Sequence, residues 1–158
     1  MADASDNDLL ARVQVLEDIE EIRKLKAAYC AACDDDHNGD RVADLFIEEG
    51  GVWGSGGSLC NGLDEIRAFM FGIRNAGFMA RSAHQVFNPV IEVDGDSATA
   101  DWRFLMMYTV AGRDDAFVRI IGRYEDEYVR TADGWRFKTL IPIVEERGEY
   151  QASTKFER

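Results

Sequence analysis

Ser97-Ala98-Thr99-Ala100-Asp101-Trp102-Arg103-Phe104-Leu105-Met106-Met107-Tyr108-Thr109-Val110 decides the fold class. Its residues alternate. Ala100, Trp102, Phe104, Met106 and Tyr108 share one side, while Asp101, Arg103 and Thr109 point to the other. A period of two over a run this long predicts a β-strand with one buried face. The run lies between Asp94-Gly95-Asp96 and a joint at residues 111–115, both short and rich in Gly and Asp. Such joints predict antiparallel hairpins.

Working outward, similar alternation predicts strands at 80–93, 116–130 and 135–145, the last two joined by Thr131-Ala132-Asp133-Gly134. Upstream the period changes. Leu9, Val13, Leu16, Ile19, Ile22, Leu25 and Tyr29 recur at three- and four-residue steps, predicting a long amphipathic helix that ends near Cys33. Ser5, with Asp8 three residues on, is its expected cap. After the Asn38-Gly39 turn, Asp40 is expected to cap a short helix carrying Val42, Leu45 and Phe46. Val52-Trp53 reads as a short extended piece, and a third helix is expected from Asn61 onward. Helices first and a mainly antiparallel sheet second is an α+β arrangement with the helices on one sheet face. The expectation is three helices, four long strands and a short one, in a single domain over residues 1–158. Residues 1–8 are expected to be disordered.

Length and composition agree. A chain of 158 residues, 46% hydrophobic and 11% aromatic, buries a single substantial core. No apolar run approaches the ~20 residues of a membrane span, and the acidic start Met1-Ala2-Asp3-Ala4-Ser5-Asp6 is no secretory signal. A cytoplasmic location is expected. With 18 Lys and Arg against 30 Asp and Glu, the net charge of −12 repels phosphate backbones, so nucleic acid is not an expected partner.

Several apparent motifs dissolve on inspection. Cys30-Ala-Ala-Cys33 falls near a helix C-terminus, where the dipole disfavours a thiolate, and Cys60 does not complete a zinc site. All three cysteines read as packing residues. Asp34-x-Asp36-x-Asn38-Gly39 opens like a calcium loop, but Leu45 stands at the twelfth position, where a bidentate Glu is required. Gly54-x-Gly56-Gly57 lacks the context of a phosphate loop and reads as a loop at a pocket mouth. His37, beside three aspartates, reads as a solvated side chain. Neither a metal nor a cofactor is expected.

The predicted inner sheet face is aromatic and apolar, with His84, Asn88 and Asp126 as polar exceptions. Such a lining under helices makes an apolar pocket with sparse polar groups. Trp102, Phe104 and Tyr124 are expected to line it, with Asn88 among its polar contacts. His84 opens the first long strand, and Asp34 and Tyr29 stand at the end of the first helix. A carboxylate bonded to one imidazole nitrogen fixes the tautomer and raises the basicity of the other. Residues five apart lie ~140° apart on a regular helix, so Tyr29 and Asp34 converge only if the helix ends between them, and Asp35 is a rival for Asp34.

The order of elements resembles the SnoaL-like members of the nuclear transport factor 2-like superfamily, which are cone-shaped α+β domains. The likeness rests on Leu16-Glu17-Asp18-Ile19-Glu20-Glu21-Ile22-Arg23-Lys24-Leu25, Asp44-Leu45-Phe46 followed by Val52-Trp53, and Gly62-x-x-x-Ile66-Arg67-Ala68-Phe69. Further on it rests on His84-x-x-x-Asn88-Pro89, Gly122-Arg123-Tyr124-x-Asp126 and Asp133-Gly134-Trp135-Arg136. Dehydratases, a dehydrochlorinase, ketosteroid isomerase, polyketide cyclases and the small subunits of ring-hydroxylating dioxygenases share that superfamily, along with members that only bind. The resemblance implies that Asp34 and His84 form a proton-abstracting dyad, that Tyr29 stands where the bile acid dehydratase has a tyrosine, and that Trp53 and Ile120 line the pocket. It implies a cofactor-independent lyase or isomerase for an apolar cyclic, steroid- or polyketide-like substrate. The alternatives are a non-catalytic small-molecule binding domain or an oxygenase accessory subunit. Some relatives carry an inward arginine on the last strand; the matching region here, Lys138-Thr139-Leu140-Ile141-Pro142, has none. A homodimer or homotrimer is expected through the outer sheet face, where Arg103, Leu105, Met107, Ile121 and Val129 lie.

Overall fold

The computed structural model describes residues 4–113 and 115–151. Three helices precede the long strands: α1 (Ala4–Asp34), α2 (Gly39–Ala43) and α3 (Leu63–Ala76). The strands are β1 (Val52–Ser55), β2 (Ser58–Asn61), β3 (Met79–Asp94), β4 (Ser97–Val110), β5 (Ala116–Thr131) and β6 (Gly134–Gln151). They form one open, curved sheet in the order β2-β1-β6-β5-β4-β3. All neighbours are antiparallel except β1 and β6, which are parallel. The expected α+β arrangement is therefore present, with two short strands where one was expected. The glycine-rich segment folds back as a β1–β2 hairpin, pairing Ser55 with Ser58.

The caps fall differently from the sequence reading. α1 begins at Ala4, so Ser5 lies inside the helix and residues 4–8 of the N-terminal segment are helical. Asn38, and not Asp40, caps α2, its side chain accepting from Arg41 N at 3.2 Å. α3 starts two residues late, after Gly62 at φ 82°.

Only the second half of the α1 stripe packs. Ile22, Leu25 and Tyr29 are buried against the sheet, whereas Leu9, Val13 and Leu16 are exposed because the first turns reach past it. Asp18 marks the changeover. It is buried, receives both ends of the Arg130 guanidinium at 2.7 and 2.6 Å, and accepts from Trp135 Nε1. These charge-assisted bonds hold the carboxyl below its ordinary range, outweighing the opposing effect of burial.

Sheet curvature comes from bulges. Phe87 pairs with Arg103 and Val90 with Asp101, so Asn88 and Pro89 together oppose Trp102. Asn88 takes a left-handed φ of 51°, which Asn tolerates better than most residues. A second irregularity falls between Ile121 and Gly122 on β5. A β-carbon at Gly122 would run into the Ile143 carbonyl and the Phe104 ring, so this bend requires glycine. Together the bulges bow the inner face into a concave wall for the helices.

Candidate active site

A cavity of about 290 Å³ opens between the helices and the concave sheet face. Its deep end is formed by Tyr29 and Cys33 of α1 with Tyr124 of β5, all buried. Phe104, Met106 and Ile120 supply the sheet wall, and Trp53, Phe69 and Met70 the opposite one. Ser55, Ser58 and Val144 stand at the exposed end.

His84 enters this cavity from β3, and α1 ends so as to meet it. The Asp34 carboxylate lies 2.6 Å from His84 Nδ1, accepts the His84 backbone N–H at 3.0–3.1 Å, and accepts Ser82 Oγ–H at 3.0 Å. Burial raises the Asp34 pKa, but the His84 ring and backbone and Ser82 outweigh it and hold the carboxyl below its usual value. An ionised carboxylate only accepts, so the proton between the pair sits on Nδ1. In the neutral ring Nε2 is then the nitrogen with a lone pair to offer. Asp35, the rival, is turned away: it binds Asn38 and Arg41 at the surface.

α1 does not end between Tyr29 and Asp34, and the two lie on different faces: Tyr29 lines the cavity, and Asp34 meets it through His84. Tyr29 points into the deep end, and its hydroxyl accepts Trp53 Nε1–H at 3.0 Å. Burial pushes its pKa well above the ordinary value. Tyr29 is thus a neutral phenol whose hydroxyl accepts from Trp53 and lies against Cys33 and Tyr124. Burial likewise pushes Cys30 to about 11 and Cys33 to about 12, so neither is a thiolate.

Four of the six residues expected to contact a ligand line the cavity: Trp53, Phe104, Ile120 and Tyr124. Two do not. Asn88 is exposed because the bulge that contains it breaks the alternation beyond Val86, which also turns Val90 outward. Trp102 does face inward, but at the closed end of the sheet, where its Nε1–H is given to Tyr128 Oη at 3.1 Å.

Two further residues escaped the sequence reading. His37 is buried, not solvated: 6% of its surface is exposed, it lines the cavity, and its ring centroid is 5.9 Å from that of His84. The available signal was the Asp-His-Asn run itself, since these are the non-glycine types that best tolerate a left-handed backbone. Asp36 and His37 adopt it in succession, at φ 52° and 50°. Arg147 is the other. β6 continues past the predicted end at Glu145, and Arg147 pairs with the cavity residue Ile120, placing it on the inner face. Its guanidinium donates to Tyr108 Oη at 2.9 Å. Residues 138–142 hold no arginine, as expected; Arg147 lies further along β6, exposed and outside the cavity lining.

The sequence profile of the SnoaL-like domain matches residues 14–141, most of the chain. The chain belongs to the SnoaL-like family. No curated protein matches the sequence. Among solved structures, this SnoaL-like chain is similar to a candidate aromatic ring hydroxylase from Novosphingobium aromaticivorans, with 26% identity and a TM-score of 0.76 over 85% of this chain and 94% of that one. It shares its fold with a candidate scytalone dehydratase from the same organism, at 19% identity and a TM-score of 0.76 over 93% and 99% of the two chains. The fold is also that of a hexachlorocyclohexane dehydrochlorinase, LinA-type3, from Novosphingobium barchaimii, at 17% identity and a TM-score of 0.74 over 94% and 98%. Among the described residues no helix is long and apolar enough to cross a membrane.

Proposed function

We propose that this SnoaL-like domain is a cofactor-independent lyase or isomerase acting on an apolar cyclic substrate. The observation that carries the reading is the contact of Asp34 with His84 Nδ1 at the wall of an apolar cavity. His84 Nε2 removes a proton from a carbon beside a carbonyl or similar electron-withdrawing group. Asp34 orients the ring and balances the charge that forms on it. Tyr29 gives a hydrogen bond to the oxygen on which negative charge collects. A vicinal leaving group then departs, giving an alkene, or the proton returns elsewhere, giving an isomer.

Proton transfer by a positioned side chain gives ~10²–10⁴-fold, and positioning in a water-poor cavity must supply much of the remainder. The cavity lies at the small end of the ~300–1,000 Å³ typical of ligand sites, which favours a polyketide-like substrate of one or two rings over a four-ring steroid. The same fold serves proteins named for dehydration and for dehydrochlorination, both eliminations. A second reading, as an accessory or binding domain, draws on the 26%-identical neighbour named for aromatic ring hydroxylation. Apolar side chains on the outer sheet face, with Phe87 exposed, fit self-association through that face in either case.

The test is a thermal-shift screen of cyclic hydroxy-ketones and phenols against wild type, His84→Ala and Asp34→Asn, with product masses read on each stabilising compound. The expected result is a compound that stabilises all three proteins but loses water or isomerises ~10²–10⁴-fold faster with wild type. Compounds that bind and never turn over would replace the catalytic reading with the binding one.

A further inference from the structure

Both histidines of the chain reach the same cavity. One is accounted for by its carboxylate. The other, His37, has no such partner. Among the described residues only its backbone is bonded, N–H to the Cys33 carbonyl at 3.0 Å, and no hydrogen bond reaches its ring. A ring that lines a cavity and has no partner in the protein keeps its hydrogen-bonding capacity for whatever occupies that cavity. The backbone fixes it there. Two successive left-handed residues end α1, and Asn38 N–H returns to the Ala32 carbonyl at 3.0 Å, turning the ring inward.

We infer that His37 is a ligand-binding residue of this site, which hydrogen-bonds an oxygen of the ring compound whose neighbouring carbon faces His84. The inference rests on the cavity reading given above and deepens it. The two ring centroids are 5.9 Å apart and their planes cross at 72°. The rings thus stand edge to face, and because both line one small cavity their polar edges are within reach of a single ligand. Burial, helped by the neighbouring His84, lowers the His37 pKa to about 4. At ordinary pH the ring is therefore uncharged, with one N–H to give and one nitrogen to accept.

The consequence for the ligand is specific. It must carry a hydroxyl or carbonyl on or next to the carbon that His84 addresses, and hydrocarbon rings alone leave His37 unsatisfied. In the reaction proposed above, the C–H bond breaks as its proton moves to His84 Nε2. Where the oxygen is a carbonyl, that electron pair forms a carbon–carbon double bond as the carbonyl π electrons move onto oxygen, and the His37 N–H stabilises the enolate there without itself being consumed.

The test compares 2-naphthol with naphthalene, each titrated into wild type, His37→Phe and His37→Gln. His37→Phe is expected to weaken 2-naphthol at least tenfold while leaving naphthalene binding within a factor of two. His37→Gln, which keeps a donor and an acceptor, is expected to recover part of the loss. In wild type, nitrogen-15 NMR of the histidine rings is expected to show the His37 nitrogens shifting on saturation with 2-naphthol. That spectrum decides the matter if the variants do not fold. An unchanged ratio of the two affinities in His37→Phe, or unshifted His37 nitrogens, would overturn the inference while leaving the His84 reading intact. If neither probe binds wild type, the apolar cavity reading fails with it.

Discussion

Two carboxylates in this molecule each face a nitrogen base at hydrogen-bond distance, Asp34 with His84 at 2.6 Å and Asp126 with Lys26 at 2.8 Å. Their environments drive them in opposite directions. At the cavity, three donors hold Asp34 below the ordinary carboxylate range in spite of its partial burial. At the closed end, Asp126 and Lys26 have no solvent contact, and burial outweighs their mutual attraction. The acid is raised and the amine lowered, each toward its neutral form. The Lys26 nitrogen also lies 3.3 Å from the centroid of the Tyr124 ring, which closes the cavity from the other side. One pair thus stands open to whatever enters the cavity, and the other is sealed. Pairing alone does not distinguish a working dyad from a structural one; access does.

The largest effect should come from breaking the sealed pair. Lys26→Met leaves Asp126 buried with Tyr128 Oη–H as its one remaining hydrogen-bond donor, since Oδ1 already has no partner. Removing one member of a buried ion pair costs ~3–5 kcal/mol, which urea unfolding at pH 7 measures directly. Asp34→Asn, in a partly wet position, should cost under about 2 kcal/mol, because the amide oxygen still accepts from Ser82 and His84 N. Equal losses in the two variants would erase the distinction between the pairs. A Lys26→Met, Asp126→Leu double variant should regain much of the stability, as buried pairs replaced by apolar groups commonly do.

A second effect separates the two histidines. The His37 pKa is about 4 when folded, against ~6.5 in an unfolded chain. Between those values the unfolded state binds the extra proton, so this contribution is complete above pH 6.5 and is lost as pH falls toward 4. The groups facing the ring are His84, Asp36, Asp34 and Arg74. The loss should reach about 3 kcal/mol, and His37→Gln should flatten the stability profile across that window. A profile unchanged by the substitution would mean that the ring is solvated, as its sequence context suggests.

How much of this was legible depends on the distance over which each residue's placement is set. The four long strands, and the inward positions of Phe104, Ile120 and Tyr124, follow from local alternation, which holds wherever a strand stays regular. Asn88 was misplaced because a bulge resets the alternation, and the only local sign was an Asn-Pro pair. Arg147 was missed because β6 continues past its predicted end at Glu145. The meeting of Asp34 with His84 spans fifty residues and was proposed from a resemblance, since α1 has no spacing rule that chooses Asp34 over Asp35. His37 depended on two left-handed residues in succession, a backbone choice that composition permits but does not demand. The exposed Leu9, Val13 and Leu16 show the converse: helical periodicity announces an apolar face without saying what covers it.

The smallest effect tests the comparison at its origin, the opposite displacement of the two carboxylates. A carboxyl whose folded pKa is depressed adds stability above its unfolded value, near ~3.9, and loses it as pH falls through the folded pKa. Asp34 is such a group, and Asp18, held chiefly by Arg130, is another. Asp126 has the reverse sign. Its folded form takes up a proton at a higher pH than the unfolded chain, so falling pH favours the fold across that interval and Asp126 cannot be a source of acid sensitivity. Urea midpoints of wild type should therefore drop below pH 4, and Asp34→Asn should remove part of that drop, with Asp18→Asn removing another part. Above pH 5 the slopes of Asp34→Asn and wild type should coincide, because both forms of Asp34 are ionised there. If Asp34→Asn instead left the acid limb untouched, the carboxylate would not be held by His84 in solution, and the open pair would lose the property that sets it apart from the sealed one.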